Sequence, residues 1–462
     1  MNKLNLAIIG HANAGKTSFL RTLTRNDGFG IVSDKPGSTR HVEKISLFID
    51  YKQSVVFYDT PGLEDSIALY DYIYTIIAPN LRLDGIDRLE RFLASPEAQL
   101  RFNQEAKVSR QLLHSDAGLY VVDVTEPVLE KYHDELAILA GSNKPLLAIL
   151  NFTASPVSQE QAWRELLSRV GIHSMIRFDA VLPPIDGEAQ LYQSLSLLIE
   201  PAKILISNLQ QRLLQQRQHR YAEANKIIAE ALVNVTAYVN WVDYQHERDI
   251  EQLQNKIRQY EHKTIKRLLQ LYHFEENEHS LAELPVLQGY LDTDLFNAEA
   301  MKLMGIRLSK GIVSGALAGV GIDLAIGGMT LGTATLIGAT IGGLSQTVKY
   351  YKQKVINQFS GRIALRVDKP VICFMALRLQ LLRDQLNIRG HANRARLNIT
   401  EPERNKWLLG KLPKPLQVAS VHPEWSILNH KVKLHDEQRQ RFIAHLADTL
   451  STNDDSETDA IQ

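Results

Sequence analysis

Apolar runs of four to six residues punctuate the first part of the chain at Leu4–Ile9, Val55–Tyr58, Leu119–Val122 and Leu146–Leu150. Runs this short, bounded by polar and turn-forming residues, read as buried strands of a mostly parallel sheet. Between the second and third runs the apolar positions take helical spacing, at Ile86, Leu89, Phe92 and Leu93. The interval from Asp59 to Asp123 is longer than one connecting helix requires, so an inserted helical element over 86–102 is expected there. Arg177–Ala180 reads as the last strand. Together these predict an α/β domain over residues 1–200, with helices flanking the sheet.

The pattern changes after Pro183-Pro184 and Pro201, where Gln, Leu, Arg and Glu dominate. Residues 201–300 read as a long-helix region. From Ile250 an apolar stripe runs through Leu253, Ile257, Tyr260, Ile265, Leu268 and Tyr272, at spacings of three to five. Its register slips near Thr264, which favours a helix packed within its own bundle over a coiled-coil dimer. The stripe is also a candidate surface for a protein partner.

Gly311–Leu344 contains a single charged residue, Asp323, and glycines four apart at Gly311, Gly315 and Gly319, at Gly328 and Gly332, and at Gly338 and Gly342. Small-xxx-small spacing lets helix backbones approach closely in a membrane. Lys302, Arg307 and Lys310 precede it and Lys349, Lys352 and Lys354 follow it, so both ends favour the cytoplasmic side. A glycine-rich helical hairpin over 301–355, turning near Gly327-Gly328, fits these flanks. Each arm is then short for a hydrocarbon layer of about 30 Å, and Asp323 at mid-membrane would cost roughly 2.5–3.5 kcal/mol. Two readings stand: a shallow hairpin contacting the inner membrane through 311–344, and a hairpin packed within the C-terminal part. Helical segments are expected from Tyr350 to Leu386 within a C-terminal helical region over 356–447, and an acidic, disordered tail over 448–462.

The first apolar run ends in Gly10-His11-Ala12-Asn13-Ala14-Gly15-Lys16-Thr17, followed by a helix from Ser18 to Thr24. This G-x-x-x-x-G-K-T spacing is a phosphate-binding loop. Its glycines turn backbone N–H groups inward, the Lys neutralises the β and γ phosphates, and the Thr hydroxyl meets Mg²⁺. The helix that follows adds its positive end. The second run ends in Asp59-Thr60-Pro61-Gly62, where Asp59 is placed to hold Mg²⁺ through water and the Gly62 amide to meet a γ-phosphate. Between them, Thr39 in Lys35–Arg40 can close over the metal and γ-phosphate. Lys16 and Thr39 are thus the catalytic candidates, and Thr17, Thr39 and Asp59 the metal-holding ones. Gly10, Asn13, Ala14, Gly15, Lys16, Thr17, Ser18, Thr39, Asp59, Gly62 and Asn151 make up the expected nucleotide-binding set.

The ordered motifs G-x-x-N-x-G-K-T, P-G-S-T-R and D-T-P-G resemble the Era and TrmE type of bacterial GTPase, of the TRAFAC class, over about the first 200 residues. The remainder resembles the C-terminal domain of unknown function that some of these GTPases carry. The resemblance implies a P-loop fold and a cytoplasmic, Mg²⁺-dependent GTPase that binds GTP and GDP. Asn13 matches a loop Asn that helps hold a potassium ion in several relatives, which implies slow hydrolysis stimulated by K⁺; loop shaping is its other reading. Two departures stand out. Leu63 occupies the position of a water-orienting Gln. In the expected N-K-x-D sequence Asn151 is retained, but Phe152 replaces the Lys and Ala154 the base-reading Asp. Guanine preference is therefore open, and a nucleotide hydrolase of relaxed specificity is the alternative. The Asp179-Ala180 backbone is placed to help cover the base.

Lys plus Arg and Asp plus Glu number 52 each among 462 residues, so no overall basic field points to nucleic acid as an obligatory partner. The single cysteine, Cys373, excludes an intrachain disulfide and lies in an apolar run, where it reads as a buried hydrophobe. The apolar N-terminal run passes directly into the phosphate loop, which argues against a secretory leader. His430 and His435 are five apart and do not share a helix face, so no zinc spacing is seen. His391 reads as structural. A third reading, an interaction protein with vestigial nucleotide binding, is opposed by the intact Lys16, Thr17, Thr39 and Asp59.

Overall fold

The structure is a computed structural model that describes residues 1–24, 41–76, 83–180, 187–243, 247–272, 293–306, 322–326, 329–330, 363–388, 407, 412–429 and 436–451. The chain folds into two compact units, carried mainly by Met1–Gln216 and by Arg217–Asn387 with the C-terminal stretch. Thr39, His391, His430, His435, most of 311–344 and the tail beyond 451 lie outside the described residues.

In the first unit, β1 (Lys3–Ile9), β2 (Glu43–Phe48), β3 (Ser54–Asp59), β4 (Ala117–Asp123), β5 (Leu146–Asn151) and β6 (Met175–Arg177) form one sheet in the order β2-β3-β1-β4-β5-β6. Only β2, at the edge, is antiparallel to its neighbour. The inner strands are buried on both faces, which is why they appear in the sequence as continuous apolar runs. Leu4, Leu6 and Ile8 of β1 pack on one face with Phe19 and Leu20 of α1 (Lys16–Thr24), while Ala7 and Ile9 pack on the other. That opposite face is covered by α4 (Asn103–His114), α5 (Glu130–Ala140) and α6 (Glu160–Arg169). Strand order reverses at β1, which has β3 on one side and β4 on the other, so the carboxyl end of β1 is the crevice where such sheets bind ligands.

The inserted element comprises α2 (Ser66–Asp71), a π-helical turn (Tyr72–Ile76), α3 (Gly85–Ala94) and α4. Leu69, Ile73, Leu89, Phe92, Phe102 and Ala106 give it a small core of its own, closed by Ile138 of α5. The last strand is corrected from the expected Arg177–Ala180 to Met175–Arg177, and α7 (Gly187–Leu198) follows it. Asp179 and Ala180 are therefore loop residues, which frees them to face the site.

The second unit is built on α8 (Lys203–Ala237) beyond Gln216, α9 (Glu247–Leu271), α10 (Ala298–Leu303), α11 (Lys369–Ile388), α12 (Lys414–Ala419) and α13 (Glu437–Ser451). The α9 stripe is spent inside it, since Leu253, Ile257, Tyr260, Ile265, Leu268 and Tyr272 all join its core. Cys373 is buried there, and burial pushes its thiol up to about 12.

The helical expectation is corrected at two places. Ile322–Ile326 (β8) and Met329–Thr330 (β9) are strands, and so is Ile363–Val367 (β10); with β7 (Asn240–Val242) they form a sheet in the order β7-β10-β8-β9. A five-residue run flanked by Gly321 and Gly327 is too short for a stable helix and suits a strand. Asp323 and Arg366 are register partners in the antiparallel pairing of β8 with β10. Helix α11 starts only at Lys369, where Asp368 accepts from the Lys369 N–H and Pro370 occupies the first turn. Among the described residues, no helix is long and apolar enough to cross a membrane.

Candidate nucleotide site

The loop after β1 turns through Gly10 at φ 143°, Asn13 at φ 64° and Gly15 at φ 87°. A Cβ on Gly10 would lie 2.4 Å from the Val121 carbonyl oxygen, and one on Gly15 would lie 2.3 Å from Asn151 Nδ2. Both positions thus require glycine for space as well as for conformation. Lys16 opens α1, and its Nζ donates to the Gly10 and His11 carbonyls at 3.0 and 2.8 Å. The ammonium is curled into the loop that would receive a phosphate. Burial lowers its pKa, opposed by the Asp59 and Glu135 carboxylates.

Thr17 Oγ1 donates to Asp59 Oδ2 at 2.6 Å, joining the start of α1 to the end of β3. Asp59 is fully buried, and its Oδ1 has no hydrogen-bond partner among the described residues. Burial raises the Asp59 carboxyl, restrained by the Thr17 hydroxyl and the Lys16 charge. Two hard oxygen donors side by side, one with a buried oxygen left over, suit a small divalent cation such as Mg²⁺. Next along the chain, Thr60 Oγ1 donates to the Ile8 carbonyl at 2.6 Å, fixing the exit from β3. Gly62 then passes so close to the loop that a Cβ would meet Ala12 N at 2.6 Å.

Leu63 follows, bridged in parallel fashion to His11 of the loop. It is fully buried in the same apolar cluster as Ala7, Ile9, Val108 and Leu112, so it contributes to the core and offers nothing to a water. Immediately beyond it, the Glu64 and Asp65 N–H groups both donate to Glu105 Oε1 at 3.2 Å. Glu105 belongs to α4 and is buried, so the inserted element grips the segment that follows Gly62.

On the other side of the loop, Asn151 acts as a clasp. Its Nδ2 donates to the Ala14 carbonyl at 2.9 Å, while its Oδ1 accepts from Phe152 N at 3.0 Å and Ala180 N at 2.8 Å. The side chain expected to bind nucleotide thus also ties three loops together. Phe152 adopts φ 58°, with its ring against Gly15. Thr22 Oγ1 donates to the Ala180 carbonyl at 2.9 Å, and Ala154 N donates to Asp179 Oδ2 at 3.3 Å.

A buried charged group backs the loop. His11 Nδ1 faces the Glu135 carboxylate at 3.5 Å, its Nε2 lies 3.0 Å from Lys131 Nζ, and its ring meets Tyr132 edge-on. Burial, with Glu126 and Glu135 nearby, lifts the Tyr132 phenol to about 12. Lys131 also accepts, through its carbonyl, the Ser66 hydroxyl at the start of α2.

The structure therefore brings together Gly10, Asn13, Ala14, Gly15, Lys16, Thr17, Ser18, Asp59, Gly62 and Asn151 at the carboxyl end of β1. Sequence reasoning overlooks Glu105 and Glu135, and of Asp179 it names the backbone but not the carboxylate; their partners lie 41, 124 and 25 residues away along the chain. Their signal in the sequence is only that of a carboxylate in a helix or loop.

A glycine-turned loop between a central strand and a helix, with Lys16, Thr17 and Asp59 converging on it, is a P-loop nucleotide site, and the N-terminal domain is of the GTP-binding P-loop GTPase family. The family described as 50S ribosome-binding GTPase matches residues 5–152. The domain of unknown function DUF3482 matches residues 164–448, more than half of the chain, and the protein belongs to that family. Among characterised relatives, GTPase Era of Helicobacter pylori is 29% identical over 196 residues, 41% of this chain and 62% of Era. GTPase Der of Rhodopirellula baltica is 29% identical over 28% of this chain and 26% of Der. The tRNA modification GTPase MnmE of Chelativorans is 43% identical over 13% of each chain. The protein thus spans less than two thirds of each of these relatives. A crystal structure of Aquifex aeolicus Era bound to GDP and AlF4⁻ aligns at 17% identity with a TM-score of 0.32, covering 43% of this chain and 57% of that one.

Proposed function

We propose that this protein binds GTP with Mg²⁺ and hydrolyses it slowly to GDP and phosphate, the bound nucleotide setting the state of the segment from Asp59 to Asp65. The observation that carries this reading is the convergence of the Lys16 ammonium, the Thr17 hydroxyl and the Asp59 carboxylate, with Asp59 Oδ1 left without a partner among the described residues. Lys16 would exchange the Gly10 and His11 carbonyls for phosphate oxygens and stabilise charge on the β and γ phosphates. Thr17 and Asp59 would hold Mg²⁺, which when bound screens the phosphates and fixes their orientation. Thr39 would complete the metal and γ-phosphate contacts, and the Gly62 amide would sense the γ-phosphate.

Slow turnover follows from Leu63, which is buried where a water-orienting Gln would be needed. Asn13, at φ 64° in the loop, is the proposed K⁺ contact. The second unit is the proposed outlet of the switch, acting in the cytoplasm through a protein partner or through membrane contact at 311–344. Vesicle flotation in GTP and in GDP separates those two outlets.

The direct test is equilibrium binding of GTP, GDP and ATP with Mg²⁺, followed by turnover in K⁺ and in Na⁺. GTP binding, K⁺-stimulated turnover and loss of both in Lys16→Ala are expected. Equal GTP and ATP affinity would favour a relaxed nucleotidase, equal rates in K⁺ and Na⁺ would remove the Asn13 assignment, and turnover retained in Lys16→Ala would overturn the site.

A further inference from the structure

Residue 154, where a base-reading carboxylate is expected, is an alanine, yet a carboxylate lies against its backbone. We infer that Asp179 supplies the missing function, reading the N1–H and N2–H₂ edge of guanine from the loop after β6. This inference rests on the GTP-binding reading above and gives that site its base preference.

The geometry is specific to position 154. Asp179 Oδ2 accepts from Ala154 N at 3.3 Å. By ordinary bond lengths an aspartate at 154 would itself hold its carboxylate about 3–4 Å from that same nitrogen. Asp179 therefore puts negative charge in the neighbourhood that such a side chain would reach. Its position is fixed through the next residue, Ala180, whose N–H is held by Asn151 Oδ1 at 2.8 Å and whose carbonyl is held by Thr22 Oγ1 at 2.9 Å. Asn151 in turn holds the phosphate loop through the Ala14 carbonyl. Phosphate cradle and carboxylate are thereby set at a constant separation, as a nucleotide reader requires.

The chemistry of the carboxylate allows both tasks. An ionised carboxylate has about four acceptor positions, so holding the 154 loop and accepting from a base are compatible. Guanine offers two donors on the edge concerned, and charge-assisted, two-pronged bonds of this kind are strong. Adenine offers a ring-nitrogen lone pair and a C–H there, which repel the carboxylate rather than bind it. Asp179 is only 3% exposed, and in such a setting a mismatched polar partner is costly. Selectivity can thus survive the loss of the motif that normally signals it.

The test is a swap of hydrogen-bond pattern. In Asp179→Asn the carboxamide presents one acceptor and one donor, which complement the N1–H and C2 carbonyl of xanthine. Binding of GTP, ATP and xanthosine triphosphate is measured on the full chain, wild type and variant. Wild type should prefer GTP over ATP; Asp179→Asn should lose GTP affinity on the order of 100-fold and gain affinity for xanthosine triphosphate. A gain of a new ligand cannot arise from misfolding. Wild type that binds GTP alongside a variant with an unchanged ratio of GTP to xanthosine triphosphate would overturn the inference and leave the GTP reading intact. Wild type that binds no nucleotide would overturn both. Should Asp179→Asn fail to fold, the double variant Asp179→Ala with Ala154→Asp carries the test: retained guanine preference supports a carboxylate reader at this point, and its loss overturns it.

Discussion

Single residues here do work that their neighbours cannot take over. Leu63 illustrates this, because its position in the motif suggests chemistry while its burial assigns it to the core. Placing Gln at 63 would not create a water-orienting group; it would bury an amide among Ala7, Ile9, Val108 and Leu112. Leu63→Gln is expected to destabilise the first unit by about 1–3 kcal/mol, read by denaturant titration, with no rise in turnover. Faster hydrolysis at unchanged stability would show that the side chain can reach the site. Asp179 marks the opposite case, a residue with no motif whose place in space gives it a role. Motif spacing captures residues that follow one another along the phosphate loop, where local geometry does the work. It cannot capture Asp179 and Ala154, because what joins them is the parallel pairing of β5 with β6.

At the level of elements, the insertion between β3 and β4 is coupled to the site through one carboxylate. Glu105 of α4 accepts from two successive backbone N–H groups just after Leu63. Glu105→Ala should free both and speed hydrogen exchange at Glu64 and Asp65, while exchange within β1 stays unchanged; equal exchange in both proteins would show that the contact holds nothing. The existence of these helices was readable from the spacing of Ile86, Leu89, Phe92 and Leu93, and the sheet from its unbroken apolar runs. The strands of the second unit were not. Ile322–Ile326 and Ile363–Val367 are short apolar runs whose periodicity suits either state, and only their antiparallel pairing, about forty residues apart, decides for strand. The glycine spacing of 311–344 suggested helices because it reports small residues, not backbone shape.

Across the whole molecule, the second unit buries charge at several points. Arg378 Nε lies 3.3 Å from Glu261 Oε1, with both side chains almost wholly buried. Arg439 donates to the Trp425 carbonyl at 2.9 Å and to Asn234 Oδ1 at 3.2 Å, linking α13 to α8. Burial raises the Glu261 carboxyl above its ordinary value despite Arg378. The folded chain then holds the proton to higher pH than the unfolded chain does. Its contribution to stability is fully present below the unfolded value and is lost as pH rises through the folded one. Stability of the wild type should therefore fall more steeply than that of Glu261→Gln as pH rises from the acid range, measured by denaturant midpoints; parallel curves would remove Glu261 as the cause.

The Asn151 clasp has a bearing on how such a molecule handles its ligand. Because one amide fastens the ends of β1, β5 and β6 together, the phosphate cradle and the base wall form a single part that has no reason to differ between two nucleotides. On the proposed reading, the length of the phosphate chain is sensed on the opposite side, by Thr39 and the segment from Asp59 to Asp65, where Gly62 meets the loop and Glu105 holds the strand's continuation. Retention and discrimination are thus assigned to separate halves of one crevice, so that grip on the ligand and response to it are free to evolve independently.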